Sequence, residues 1–209
     1  MTTYENLRIA RRGPIVSIAA YLLLTIAKLI AGHFLNSSSL IADGFNNLSD
    51  ILGNVALLIG LQLASQPADS DHRFGHWKIE DLSSLVTSFI MFVVGFQVLI
   101  QTVRKIFLRE ETVVDPLGAA VGVLSAIVMC AVYFYNKGLA KKLKSSALIA
   151  AAKDNLSDAV TSIGTSIAIV AASFNLTIID YITAIIITFF ILKTAYDIFM
   201  EATFSLSDG

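Results

Sequence analysis

Six stretches of predominantly apolar residues follow one another along the chain, roughly 14–35, 38–64, 79–108, 115–136, 146–174 and 178–201, separated by short polar intervals. Each has about the 20 residues needed to cross a bilayer as a helix. The runs are continuous and lack the alternation of barrel strands. Pro14 and Pro116 fall in the first turns of the first and fourth runs, where a missing N–H costs nothing. The pattern predicts an all-α membrane protein of six transmembrane helices.

The second and fifth runs share an interruption. SSSLIADGFNNLSD, Ser37 to Asp50, recurs 108 positions later as SSALIAAAKDNLSD, Ser145 to Asp158. Each copy carries a polar pair four residues apart, Asn46 with Asp50 and Asp154 with Asp158, and an i, i+4 pair lies on one helix face. A carboxylate at the bilayer centre costs about 2.5–3.5 kcal/mol on the mildest scale, and such residues mark functional sites by default. Polar glue between helices explains a lone Asn or Ser, not three acids in a repeated motif.

Lys and Arg set the orientation. Arg8, Arg11, Arg12, Arg73, Lys78, Lys137, Lys141, Lys142 and Lys144 fall on one side. Arg104, Lys105 and Arg109 on the other are offset by Glu110, Glu111 and Asp115. Both termini are therefore expected in the cytoplasm. The second and fifth helices then cross in opposite directions, the mark of a 3+3 inverted repeat. Both polar pairs lie 8 and 12 residues into their helices from opposite faces, a depth of roughly 12–18 Å. In a hydrocarbon core about 30 Å thick they meet near the midplane, where transporters place substrate sites.

Asn46, Asp50, Asp154 and Asp158 form an all-oxygen set suited to hard divalent cations: Mn²⁺, Mg²⁺, Ca²⁺ and to a degree Fe²⁺. Zn²⁺ sites usually include His or Cys, and this set has neither. Ser49, Ser157, backbone carbonyls or water would complete the shell. Three carboxylates crowded in low dielectric cannot all stay ionised without a cation, so cation entry expels protons, which is the physical basis of antiport. Asp43, one turn before Asn46, is either an exit-path ligand or a hydrated residue. Lys153 adjoins Asp154 but points about 100° away and snorkels or pairs with an acid. Lys28 either reaches an acid or snorkels.

Composition narrows the alternatives. Hydrophobic residues make up 56% and charged residues 15%, against about 25% charged in soluble domains. The opening MTTYENLRIARRG has no signal-peptide core. One cysteine, Cys130, excludes an internal disulfide. No nucleophile with a base, phosphate loop or cofactor motif suggests an enzyme. No prosthetic group is expected. The expected partners are metal ions, protons and membrane lipids, with no nucleic acid, and the expected location is the cell membrane. A monovalent Na⁺/H⁺ antiporter is the rival transporter, though three carboxylates suit a divalent ion better. A non-transporting scaffold or metal sensor is the third reading.

The pattern Lys28-x3-Gly32, Ser39-Leu40-x-Ala42-Asp43-x2-Asn46-x3-Asp50 and Asp154-x3-Asp158 resembles the cation diffusion facilitators, as does the stretch from Gln66 to Lys78. The resemblance runs over nearly the whole chain. It implies a homodimeric metal²⁺/H⁺ antiporter whose transport site is the two pairs on helices 2 and 5. Zinc-carrying members typically have His or Asp at the position of Asn46 and His at that of Asp154, so this chain is similar to the manganese-exporting branch, with Fe²⁺ or Zn²⁺ as alternative cargo. The resemblance also implies a second, cytoplasmic metal site at Asp69, His72 and His76, and an interface salt bridge between Lys78 and Asp208. Members usually carry a cytoplasmic ferredoxin-like domain after helix 6. Here Gly209 follows that helix directly, so a single transport domain over 1–209 is expected, either cut short of that domain or lacking it.

Overall fold

A computed structural model describes residues 9–63, 77–108 and 114–207. Among them run six long helices: α1 (Arg12–Phe34), α2 (Ser38–Leu63), α3 (Trp77–Phe107), α4 (Leu117–Leu143), α5 (Ser146–Ser173) and α6 (Thr177–Ser207). Their broadest packing pairs α4 with α5, α3 with α6 and α1 with α2.

Apolar side chains such as Leu23, Ile100, Leu124, Phe134, Ile167 and Phe189 are exposed on the outside. Ser17, Lys28, Asp43, Asn47, Asn136, Asn155 and Asp180 are fully buried inside. An apolar outside around a polar inside is the arrangement lipid demands. Small residues bring the helices close. A Cβ on Gly122 of α4 would stand 2.2 Å from Ser166 Oγ and 3.0 Å from the Ser162 carbonyl of α5. Apolar packing sits around the polar interior, with Tyr21, Leu24, Ala126, Met129 and Ala159 joining α1, α4 and α5. Ala42, Val98, Ala184, Ile187 and Ile191 join α2, α3 and α6.

The duplicated segments begin with one device used twice. Asn36 and Lys144, 108 positions apart, both adopt the left-handed conformation, with φ of 57° and 52°. The following N–H closes the preceding helix in each copy, Ser37 to the Gly32 carbonyl at 3.0 Å and Ser145 to the Ala140 carbonyl at 3.2 Å. This is the Schellman pattern. The same serines then cap the next helix, accepting from Leu40 N at 3.1 Å and Leu148 N at 3.3 Å.

The structure differs from the expected spans in two respects. α4 continues to Leu143 and α6 to Ser207, beyond the expected ends at 136 and 201. Hydropathy marks where lipid ends, whereas a helix continues as long as its backbone bonds do. Lys137, Lys141 and Lys142 suit a helix extending past the apolar zone, and Lys137 Nζ donates to Tyr133 Oη at 2.6 Å. The second difference concerns α2. Five helices among the described residues are apolar and long enough to cross a membrane: Arg12–Phe34, Ser88–Phe107, Leu117–Leu143, Leu148–Ser173 and Thr177–Phe204. α2 has 26 residues, long enough at about 1.5 Å each. Asp43, Asn46, Asn47, Asp50 and Asn54 lower its apolar character. Asp43, Asn47 and Asn54 are buried against neighbouring helices, so much of this polarity is turned inward.

Candidate metal centre

α2 and α5 place their polar pairs on one cavity of about 730 Å³, lined by Asn46, Ser49, Asp50, Asp154, Ser157 and Asp158 and closed on another side by Ile187, Thr194 and Ile198 of α6. All four expected ligands and both supporting serines therefore share one space. Asn46 ties the two helices together. Its Nδ2 donates to Asp50 Oδ2 at 3.1 Å and to Asp158 Oδ1 at 3.1 Å. Asp154 lies one turn before Asp158 and is exposed on the cavity wall. Among the described residues, no three of His, Cys, Asp and Glu are gathered into a metal-holding group. The structure thus brings Asp50 and Asp158 to a shared amide and leaves Asp154 apart from it. Ser49 Oγ donates to the Phe45 carbonyl at 3.3 Å, and the Ser157 carbonyl accepts from Thr161 Oγ1 at 3.1 Å.

Two polar clusters flank this centre. On one side the Lys28 ammonium lies 2.9 Å from Asp43 Oδ1, with both side chains fully buried. Lys28 also donates to Ser162 Oγ at 2.9 Å and Asn47 Oδ1 at 3.3 Å. Ser162 Oγ in turn donates to Asp43 Oδ2 at 3.1 Å. Asp43 is thus paired with Lys28 and Ser162 and does not line the cavity, and Lys28 reaches an acid rather than snorkelling. Lys153 is exposed.

On the other side the Tyr21 hydroxyl donates to Asp158 Oδ2 and accepts from Asn155 Nδ2 at 2.9 Å. Asn155 Oδ1 accepts from Asn136 Nδ2 at 2.7 Å, and Asn136 also donates to Ser17 Oγ at 2.8 Å. Sequence reasoning missed this group. A lone Tyr in an apolar run reads as core packing, and only the motif's second Asn hinted at a partner.

An acid that sequence reasoning also missed is Asp180 of α6. Its carboxylate accepts from Ser37 Oγ and Ser38 N at 2.7 Å each, from Ser39 N at 3.3 Å and from Ser39 Oγ. It caps α2 from a neighbouring helix, where the unpaired N–H groups and the positive end of the helix dipole favour an anion. Lys105 of α3 donates to Ser38 Oγ at 3.1 Å, which fastens three helices at this end. Asp69, His72, His76 and Asp208 lie outside the described residues, and so does the side chain of Lys78.

A bundle of membrane-length helices, apolar outside and enclosing a carboxylate-lined cavity, defines a multi-pass membrane protein that handles cations. Residues 15–207 match the cation efflux transmembrane domain. Over 209 residues the chain is 50% identical to the manganese efflux system protein MneS of Bacillus subtilis, an alignment covering all of this chain and 72% of the relative. It is 45% identical, with the same coverage, to the uncharacterized transporter YdbO of Bacillus subtilis. It is 33% identical over 184 residues to the uncharacterized transporter MJ0449 of Methanocaldococcus jannaschii, covering 88% of this chain and 65% of that one. The chain belongs to the cation efflux family. It is a multi-pass protein of the cell membrane, and its family is one of transporters rather than enzymes.

Proposed function

We propose that the protein exports Mn²⁺ from the cytoplasm in exchange for protons, by alternating access at Asn46, Asp50, Asp154 and Asp158. The observation that carries this reading is the Asn46 amide joining Asp50 of α2 to Asp158 of α5 at a cavity that Asp154 also lines. The donors are oxygens, with no His or Cys among the described residues of the cavity wall, which suits a hard divalent ion. The likeness to a manganese efflux protein supports the same cargo. Turning the Asn46 amide over exchanges its N–H₂ for a carbonyl oxygen, and Asp154 completes the set from the wall. Bringing these carboxylates together without an ion requires protons to offset the charge, so metal and protons exchange.

An inverted repeat supports alternating access. Asn46 meets Asp158 and Asp43 meets Ser162, so residue numbers fall on α2 as they rise on α5. The cavity extends from Asp50 towards Leu57 on α2 and towards Ala150 on α5. With Lys and Arg marking the cytoplasmic side, that is the cytoplasmic half. The Lys28–Asp43 cluster and the Asp180 cap then close the outer half. α2 is the sixth span in this reading, and the resemblance adds a homodimer.

Metal binding to purified protein in detergent tests the site. Relative to wild type, Asn46→His is expected to shift the ratio of Zn²⁺ to Mn²⁺ affinity towards Zn²⁺ by about tenfold or more, since an imidazole suits Zn²⁺ better than an amide oxygen does. Unchanged selectivity in that variant removes Asn46 from the site.

A further inference from the structure

Asp158 differs from Asp50 in one respect that bears on which ions the site accepts. Its two oxygens are assigned to different tasks. Oδ1 faces Asn46 at 3.1 Å, and Oδ2 accepts from the Tyr21 hydroxyl. A phenol has one proton to give, and the Asn155 N–H₂ occupies the hydroxyl's acceptor side at 2.9 Å. Asn155 is itself fixed, because its oxygen accepts from Asn136 at 2.7 Å. Tyr21, Asn136, Asn155 and Ser17 are all fully buried, so no water competes for the Tyr21 proton. The network leaves the Tyr21 proton directed at Asp158 Oδ2.

The internal repeat supplies a contrast. The position 108 residues after Tyr21 is Met129, fully buried in the same apolar cluster. A thioether has no proton to donate. The repeat therefore has a buried hydroxyl donor on Asp158 in one copy and a thioether at the matching sequence position of the other.

The geometry points to Tyr21 as a specificity-determining, positioning residue: it holds Asp158 to one-oxygen coordination and so favours small octahedral cations over Ca²⁺. A carboxylate with one oxygen engaged by a donor offers the other to the ion. Ca²⁺ takes more ligands, often with both oxygens of a carboxylate, whereas smaller divalent ions demand near-octahedral geometry. Partners behind a ligand tune affinity by orienting it, and their loss typically costs 10–100-fold. This inference rests on the site assigned under the proposed function and adds a residue to it.

The test measures Kd for Mn²⁺ by electron paramagnetic resonance and for Ca²⁺ by competition, using the whole chain purified in detergent. Tyr21→Phe removes the donor and lets Asp158 turn both oxygens to the ion. The ratio of the Ca²⁺ Kd to the Mn²⁺ Kd is expected to fall about tenfold. A merely structural role for Tyr21 weakens both ions together and leaves the ratio unchanged. Tyr21→Phe with Asn155→Leu gives a second version in which Asn155 no longer leaves a donor unpaired, and the same fall is expected. A wild-type ratio in both variants overturns the inference while leaving the metal site standing. Wild-type protein that binds neither ion overturns the site itself, and this inference with it.

Discussion

Asn47 and Asn155 hold the same place in the two copies of the motif, and both are fully buried. Each turns its side-chain oxygen to the residue 19 positions earlier, Lys28 at 3.3 Å in the first copy and Asn136 at 2.7 Å in the second. Lys28 and Asn136 are themselves 108 positions apart. The repeat thus extends from α2 and α5 into α1 and α4, and it reproduces a contact, a cap and a turn. The chemistry differs at this contact. The first copy places a cation at this contact and answers it with Asp43. The second places a neutral amide there, and the position matching Asp43 is Ala151. A repeated scaffold can hold two different environments when the substitutions come in pairs. The unpaired alternative, a buried Lys28 without Asp43, carries a large desolvation cost.

The largest expected difference between the copies follows from that charge. Lys28→Met leaves Asp43 as an uncompensated buried acid and is expected to cost about 3–5 kcal/mol. Asn136→Ala removes a neutral partner and is expected to cost about 1–3 kcal/mol. Denaturant titration in detergent micelles reads both, and equal losses would show that the two contacts are alike after all. Adding Asp43→Asn to Lys28→Met should restore much of the loss.

The helix starts give a smaller contrast. α2 is capped by its own Ser37 and by Asp180 of α6, while the cap of α5 shown here is Ser145. Asp180→Asn weakens charge-assisted bonds and is expected to cost about 1.5–3 kcal/mol, against about 1 kcal/mol for Ser145→Ala. Faster amide exchange at Ser38 to Leu40 in Asp180→Asn would localise the effect, and unchanged exchange there would refute the cap.

The smallest effect lies in the paired turns. Lys144 holds a left-handed φ of 52°, which strains a residue with a Cβ, while Asn tolerates it better. Lys144→Gly is expected to stabilise by up to about 1 kcal/mol, and Asn36→Gly by less. A larger gain at Asn36, read from the same titrations, would contradict this account of the turns.

Much of the arrangement was legible in the residues. The apolar runs located six helices, and the repeated Asn-Leu-Ser-Asp brought Asn46, Asp50, Asp154 and Asp158 to one cavity. The ends of α4 and α6 were not legible, because polar residues beyond the apolar zone, Lys137, Lys141 and Lys142 in α4 and Glu201, Thr203 and Ser207 in α6, still propagate a helix. Tyr21 was hidden by its chemistry, since its ring satisfies an apolar pattern and only its hydroxyl meets Asp158. Asp180 looked like an ordinary residue near a helix start. Its partner, the start of α2, is 142 positions away in sequence, and no local pattern spans that separation. Lys28 with Asp43 was visible as two charges in apolar runs, but their pairing needed the packing of α1 on α2.

The proposed function requires metal and protons to exchange at Asp158 and its neighbours. Proteoliposomes loaded with a pH-sensitive dye test it directly, on addition of Mn²⁺, Zn²⁺ or Na⁺ to wild-type protein and to Asp158→Ala. Mn²⁺-driven proton movement is expected in the wild type, and its loss in the variant. A response to Na⁺ or Zn²⁺ alone, or Mn²⁺-driven proton movement that survives in Asp158→Ala, would contradict the proposed function.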